Sequence, residues 1–283
     1  MSLLGGAQRD LIVALPEHAK RWNITIATLN APELLVNRCD ELGIELITPL
    51  QPWKEPSGGL KEITAASGRS ARKAWERLLP SLKEPLEQAD AAYIMVGVGG
   101  LEVIEIIPKS LPLYVYIHER NKGIDDDVLH RNLDGSFKRP MWITNLALSY
   151  LRRWDKKWHR FLWNRPKTIV SANTPTSART LASAHGWPTL NSWVAGETEF
   201  RDAAKKAAGV GVLWPAIDPQ AWPVEPTSEE LNVWATFELK PTKPYLVTIG
   251  RACFMKGGFE ALTVAQASSM PLVHVGGGET EAM

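Results

Sequence analysis

The sequence predicts an α/β protein built around parallel β-strands, and two features support this prediction. First, five short apolar runs are nearly continuous rather than alternating, which is typical of parallel strands covered on both faces. Second, segments with helical periodicity separate these runs, so strands and helices alternate along the chain. Together the two features favour a doubly wound, Rossmann-like domain. The predicted strands are 23–28, 44–48, 91–96, 113–118 and 168–172.

The predicted helices lie between and beside these strands. Each predicted strand is followed by a helical segment, which is the order that a parallel βαβ crossover requires. Thr174 and Pro175 mark the start of the last helix, because proline is favoured in the first helical turn. The helical segments are about 7–20, 33–42, 68–88, 99–107, 142–163 and 175–185.

The chain is predicted to contain one α/β domain and the beginning of another. The second unit should contain a strand at 245–250, a helix at 257–268 and a strand at 271–275. A free-standing doubly wound domain usually has roughly 100 residues or more, so we expect this unit to be incomplete. We also expect the first domain to lack its first strand. The predicted segments are the domain 1–212, a proline-rich interdomain crossing 213–244 and the second unit 245–283.

Composition argues against several classes of protein. A formal net charge of +1 is too small for a dedicated nucleic-acid-binding protein. No window has the roughly 20 apolar residues that a membrane-spanning helix needs, and the N-terminus lacks the apolar core of a signal peptide. Cys39 and Cys253 form no metal-binding spacing, so we expect free thiols and a reducing, cytoplasmic location. The six histidines are scattered along the chain, so we expect no metal ion.

Two glycines, Gly5 and Gly6, open the first predicted helix. Glycine at such a turn lets a ligand approach the backbone closely, and the free N–H groups of a helix N-terminus attract anions. An ordinary helix-start turn can have the same sequence. The two residues by themselves leave both interpretations open.

His118 ends the predicted strand 113–118. The carboxyl ends of parallel strands face the ligand crevice, where a histidine can donate, accept or carry a proton. A histidine with a purely structural role, for example in a pair with Glu119, is the alternative interpretation.

The corner after strand 245–250 contains Gly250, Arg251 and Lys256. Arginine can bind a phosphate through two donors and lysine acts as a mobile positive charge, so the pair could neutralise a diphosphate. The segment is not a Walker phosphate loop, because Lys256 is followed by glycines. Two solvated cations near a helix start are the alternative. A further glycine turn, including Gly276 and Gly277, follows the strand 271–275.

The segment 148–167 combines aromatic and basic residues in one predicted helix. Leu151, Trp154, Trp158 and Phe161 share a helical stripe, and arginines and lysines fill much of the remaining surface. Such a helix can lie on an anionic membrane surface, which makes peripheral membrane contact one interpretation. A stripe that packs into the core behind a solvated basic face is favoured over it.

Taken in order, these motifs resemble glycosyltransferase family 4, a large family of retaining enzymes that use nucleotide sugars. The similarity covers nearly the whole chain, and the order and spacing of the motifs carry it. The segments that resemble the family are "GGAQRDLIVAL", "YVYIHE", "LRRWDKKWHR", "IVSANTPTSARTLA", "VLWPAIDPQAW", "TIGRACFMKGGFEAL" and "LVHVGGG".

The resemblance implies a GT-B fold, in which two Rossmann-like domains face each other across a cleft. It implies that Arg251 and Lys256 clamp the donor diphosphate and stabilise the charge that develops as the glycosidic bond breaks. It also implies that His118 lines the donor-sugar pocket, and that Gly5 and Gly6 form a loop against the phosphates or the acceptor. The expected partners are a nucleotide sugar and a glycan, lipid-linked or small-molecule acceptor. No metal or other cofactor is expected.

The chain departs from the family pattern at its end. The family's E-x7-E element follows the motifs seen here, and no pair of glutamates with this spacing lies between the strand 271–275 and Met283. We therefore expect a glycosyltransferase fragment with little or no catalysis by itself. The alternative from another functional class is a non-catalytic GT-B-like binding module that a partner chain completes.

Overall fold

The computed structural model describes most of the chain and shows an α/β protein with parallel sheets. The described residues are 6–56, 61, 66–118, 124–125, 130–132, 134–187, 210–217, 244–250 and 257–276. They fall into two compact units, one within Met1–Ile124 and Ser149–Ile217 and the other within Asp125–Leu148 and Asp218–Met283. The predicted α/β class is confirmed.

Helices and strands alternate through both units. Most predicted elements form within one or two residues of their expected bounds. The helices are α1 (Gly6–Ala19), α2 (Glu33–Leu42), α3 (Ala66–Gln88), α4 (Met141–Trp163), α5 (Pro175–His185) and α6 (Gly258–Ser268). The strands are β1 (Thr25–Ala27), β2 (Glu45–Ile47), β3 (Ala92–Val96), β4 (Leu113–Ile117), β5 (Thr168–Ala172), β6 (Val210–Val212), β7 (Leu246–Ile249) and β8 (Leu272–Val275).

The main sheet of the first unit has four parallel strands in the order β3-β4-β5-β6. Its core joins strand residues such as Val115 to α4 through Trp158 and Leu162 and to α5 through Leu181. The strands β1 and β2 pair in parallel as a separate two-stranded sheet. The described pairings do not join the two sheets, so a continuous doubly wound sheet stays a prediction.

The second unit contains a short parallel βαβ element. The strands β7 and β8 pair in parallel, and α6 connects them in the chain. Most of the predicted crossing 213–244 lies outside the described residues. The division into domains at residues 212 and 244 therefore stays a prediction.

Three predictions about individual elements were wrong. The first two strands were expected to be buried, but Thr25 and Ala27 are exposed, and Thr25 Oγ1 donates to Glu45 on the solvent side. The segment 99–107 was expected to be a helix over its whole length, but only Leu101–Glu105 is helical, and it forms a short 3-10 helix. Pro108 accounts for this, because the residue before a proline is disfavoured in the α region. The third error is an omission. The strand β6 was not predicted, because Gly211 weakens the local strand signal.

A separate question is whether any helix could cross a membrane. Within the described ranges, no helix combines the length and the apolar character that crossing a membrane demands.

Candidate active-site crevice

The best-defined polar site of the first unit lies at the carboxyl end of β4. His118 follows directly after the last residue of this strand, as predicted. Its Nε2 atom lies 3.5 Å from Oδ2 of Asp10, which α1 contributes. The two side chains are 11% and 8% exposed, so the pair is largely shielded from solvent.

Asp10 is held from a second direction by the chain after β6. The backbone N–H of Ala216 donates to Oδ1 of Asp10. The carboxylate is therefore fixed by a backbone donor on one oxygen while the other oxygen faces the imidazole. A carboxylate in this arrangement can orient a histidine ring and stabilise its protonated form.

Tyr116 forms the wall of the same site. Its ring centroid lies 4.3 Å from that of His118, and its hydroxyl donates to the carbonyl oxygen of Leu213 at 2.9 Å. Burial, together with the nearby Asp10 carboxylate, raises the pKa of Tyr116 well above its ordinary value. The phenol therefore stays protonated and acts as a hydrogen-bond donor.

Sequence reasoning identified His118 but missed Asp10 and Tyr116. A signal for Asp10 exists, since it lies four residues after Gly6, one turn into a helix opened by glycine. A signal for Tyr116 also exists, because residues two apart on a strand point to the same face. Neither signal shows by itself that the three side chains meet.

The predicted donor-site residues are only partly within the described part of the chain. Gly6 is the first residue of α1. Gly250 follows β7 and Gly276 follows β8, and their φ angles of 146° and 155° suit glycine. The N–H of Gly250 donates to Val275 at 2.9 Å, so the two turns are neighbours. Gly5, Arg251, Lys256 and Gly277 lie outside the described residues.

A second polar cluster, formed by Asp155, His159 and His185, was also missed. Oδ1 of Asp155 lies 3.2 Å from Nδ1 of His159, and its Oδ2 lies 3.1 Å from Nε2 of His185. The three side chains are at most 5% exposed. The histidines are scattered in sequence, as noted above, but two of them meet in space. The i,i+4 spacing of Asp155 and His159 on α4 is the signal that could have identified half of the cluster.

Asp155 and the two histidines offer atoms that could bind a metal ion. However, the two imidazole rings stack with centroids 3.8 Å apart and an angle of 9° between their planes. A bound ion lies in the plane of each ligating ring, about 2.0–2.1 Å from its nitrogen. Two parallel, stacked rings cannot both meet this condition unless one of them turns. As placed, the carboxylate instead lies within ion-pair distance of both imidazoles, and Nδ1 of His159 also lies 2.8 Å from the backbone carbonyl oxygen of Asp155.

The helix considered for membrane contact packs its aromatic stripe into the core. Leu151 is 7% exposed and Trp158 is 0% exposed, so these side chains are not available at the surface. The basic side chains on the other face, such as Arg153 and Lys156, are exposed. The favoured interpretation of this stripe is therefore confirmed for its central residues, and membrane contact through the basic face stays a prediction.

Comparison with known proteins adds no identification. No protein-family model, curated protein or solved structure matches the chain.

Proposed function

We propose that the chain is a retaining glycosyltransferase that transfers a sugar from a nucleotide sugar to a glycan, lipid-linked or small-molecule acceptor. The observation that carries the proposal is the buried pair of His118 and Asp10 at the carboxyl end of β4. It joins two of the motifs that resemble the family, the strand ending in histidine and the helix opened by Gly6. Ligand crevices of parallel sheets lie at this edge.

The proposed donor site contains Arg251 and Lys256, which follow β7 in the sequence. Breaking the bond between the sugar and the nucleotide leaves negative charge on the diphosphate. A guanidinium and an ammonium group held beside it stabilise that charge more in the transition state than in the ground state. The glycine turns at Gly250 and Gly276 support this assignment, because glycine lets a ligand approach the backbone closely.

His118 is proposed to contact the donor sugar, and Asp10 is proposed to hold the imidazole in position. Nε2 of His118 lies 3.5 Å from Oδ2 of Asp10, so the carboxylate can hold the imidazole in one orientation. A ring held in this way is positioned for the contact before the donor binds. No metal ion is required for this proposal.

Transfer from radiolabelled uridine, guanosine and adenosine diphosphate sugars to mixed acceptors tests the proposed activity. We expect at most slow turnover, with one class of donor. Arg251→Ala should lower kcat/KM about 10²- to 10³-fold, as does the loss of one preorganised donor to developing charge. His118→Ala should lower it as well. His18→Ala is the matched control, because His18 is exposed and its ring stacks on Trp22, away from His118 and Asp10 in the sequence. Turnover that survives both Arg251→Ala and His118→Ala would contradict the proposal.

A binding module completed by a partner chain is the second candidate function. The observation that favours it is the exposed apolar face of β7 and β8, where Val247, Ile249 and Val275 are 46%, 82% and 51% exposed. Exposed apolar patches of this kind often mark interaction sites. Two results together would favour the module: no turnover with any donor, and a molar mass above 31.4 kDa that Ile249→Asp reduces.

A further inference from the structure

A cationic cavity lies beside the C-terminal end of α4, away from His118. Its volume is about 270 Å³. Four cationic residues line it with one amide and one aromatic ring, and no carboxylate is among the lining residues. The lining residues are Lys109, Lys157, Arg160, Phe161, Asn164 and Arg165.

The cavity and His118 lie at opposite ends of β4. Lys109 precedes Leu113, the first residue of this strand, whereas His118 follows Ile117, its last residue. The two sites are therefore separated by the length of the strand.

Arg165 places a buried positive charge in the wall of the cavity. Arg165 is only 3% exposed. Its guanidinium donates to the backbone carbonyls of Ile107 and Leu111, at 3.1 and 3.0 Å, and to that of Pro108. Its Nε–H is buried and has no hydrogen-bond partner in the described ranges. Burial lowers the pKa of Arg165, which reflects the cost of holding a charge away from water.

The three exposed cations that line the cavity, Lys109, Lys157 and Arg160, add charge that nearby carboxylates do not fully neutralise. In the described part of the chain, no carboxylate pairs with Lys109, Arg160 or Arg165. Lys157 is partly balanced, since its Nζ lies 3.8 Å from Oε1 of Glu105 and 4.8 Å from the ring centroid of Trp158. The cavity therefore keeps a strong excess of positive charge.

The partial negative charge at a helix C-terminus accounts for only part of this cluster. Cations in the last helical turn are favourable for that reason, which is sufficient to explain Arg160. Lys109 lies on the loop before β4. The guanidinium of Arg165 donates to the carbonyls of that same loop rather than to those of α4. The convergence of both residues on one cavity needs another cause.

We propose that this cavity binds a small phosphate-bearing anion. Phosphate oxygens would accept hydrogen bonds from the side chains of Lys109, Lys157 and Arg160, and their charge would balance the buried guanidinium of Arg165. Ligand pockets for drug-sized molecules typically have volumes of about 300–1,000 Å³, so a cavity of 270 Å³ suits a phosphate or diphosphate group better than a whole nucleotide.

Calorimetric titration of the full chain with inorganic pyrophosphate tests this site. We expect saturable binding that weakens as salt is added, because charge attraction is screened. Lys109→Gln and Arg160→Gln should each weaken binding about tenfold or more, since each removes a charged hydrogen-bond donor. Both residues are exposed, Lys109 on the loop before β4 and Arg160 on α4, so both variants are expected to fold. Circular dichroism checks this.

Two controls separate the cavity from other cationic sites. Lys156→Gln removes an exposed charge from the same helix but does not line the cavity, so binding should be unchanged. Arg251→Gln removes a cation of the proposed donor clamp, so titrations repeated in this variant exclude pyrophosphate bound at the clamp, and the binding that Lys109→Gln and Arg160→Gln weaken should persist in it. Failure of the transferase proposal would therefore not affect this result.

Three outcomes would overturn the inference. The first is the absence of saturable pyrophosphate binding at millimolar concentrations. The second is an equal loss of affinity in Lys156→Gln and Arg160→Gln, which would indicate unspecific charge attraction. The third is binding to phosphatidylglycerol vesicles, lost in Lys109→Gln, without any binding of free pyrophosphate. That result would assign the cations to a lipid surface instead.

Discussion

At the scale of single residues, Asp155 shows how a buried charge is kept in a protein core. Burial by itself raises the pKa of Asp155, but the hydrogen bonds and charges of His159 and His185 outweigh it and hold the pKa well below its ordinary value. The carboxylate of α4 is thereby linked to the last residue of α5. Trp187 packs against both imidazole rings, with centroids 5.4 Å away, and completes the enclosure.

Replacing this carboxylate should destabilise the protein strongly. Asp155→Asn is expected to lower the free energy of unfolding by about 3 kcal/mol, because it leaves two buried imidazoles without their charged partner. Urea denaturation followed by circular dichroism measures the change. Asp90→Asn is the control, since Asp90 is exposed and should change the free energy by less than about 0.5 kcal/mol. Equal effects of the two substitutions would contradict this account.

The same substitution should change the response to acid. The pKa of Asp155 is lower in the folded chain than the ordinary value of about 3.9. The unfolded chain therefore binds this proton first as the pH falls. The stabilisation by Asp155 is complete above about pH 5 and is lost as the pH falls from about 4 towards the folded pKa. The difference in free energy between the wild type and Asp155→Asn should thus narrow below pH 4. A difference in free energy that grows below pH 4 would contradict this prediction.

At the scale of elements, the turn after β3 is fitted closely against α3. Gly99 has a φ of 79°, and a Cβ atom built on it would lie 2.5 Å from Cβ of Ala71. Its carbonyl oxygen accepts a hydrogen bond from Nε1 of Trp75 at 2.9 Å. The turn therefore needs glycine both for its backbone conformation and for its distance to the helix.

A pair of alanine substitutions tests this contact. Gly99→Ala should lower the free energy of unfolding by about 2 kcal/mol or more, because it combines backbone strain with a steric clash. Gly97→Ala, two residues earlier, should have little effect, since a Cβ atom there has nothing within 4 Å. Thermal unfolding of the two variants makes the comparison. A Gly97→Ala variant that is as unstable as Gly99→Ala would show that the whole turn, rather than Gly99, is sensitive.

At the scale of the whole molecule, the sheets differ in how completely they are covered. Val115 of β4 is 0% exposed and β4 has a hydrogen-bonded neighbour on each side. In the second unit, β7 and β8 pair with each other, and Ile249 is 82% exposed. A two-stranded sheet is marginal without further cover, so stability should be uneven along the chain.

Hydrogen exchange should report this unevenness. We expect peptides from β4 and β5 to exchange most slowly, because opening them disrupts the largest core cluster among the described residues. Peptides from β7 and β8 should exchange faster by orders of magnitude. Mass spectrometry of the exchanging chain, with digestion into short peptides, measures both sets in one experiment. Equal protection of β5 and β7 would show that the second unit is as well covered as the first.

Much of the fold could be predicted because secondary structure follows from local patterns. The apolar runs at 113–118 and 168–172 became β4 and β5, and Thr174 caps α5 by accepting a hydrogen bond from the N–H of Ser177. The failures arose where local signals are weak or misleading. A single turn before Pro108 looks like a helix in sequence, and a strand as short as β6 has almost no periodic signal.

The candidate site was predicted less completely, because its members lie on different elements. His118 was identifiable from its place at a strand end, which is a local feature. Its partner Asp10 lies on α1, and the donor to Asp10 lies on the chain after β6. No spacing rule connects these positions.

By itself, the sequence determined the α/β class, the order of helices and strands and the glycine turns after β7 and β8, because periodicity and backbone freedom are properties of neighbouring residues. Only the tertiary structure decided which polar groups meet. In the folded chain His118 lies beside Asp10, and His159 and His185 both lie beside Asp155. Lys109 and Arg165 line one cavity. These contacts join residues that are distant in sequence, so they depend on how helices pack on the sheet.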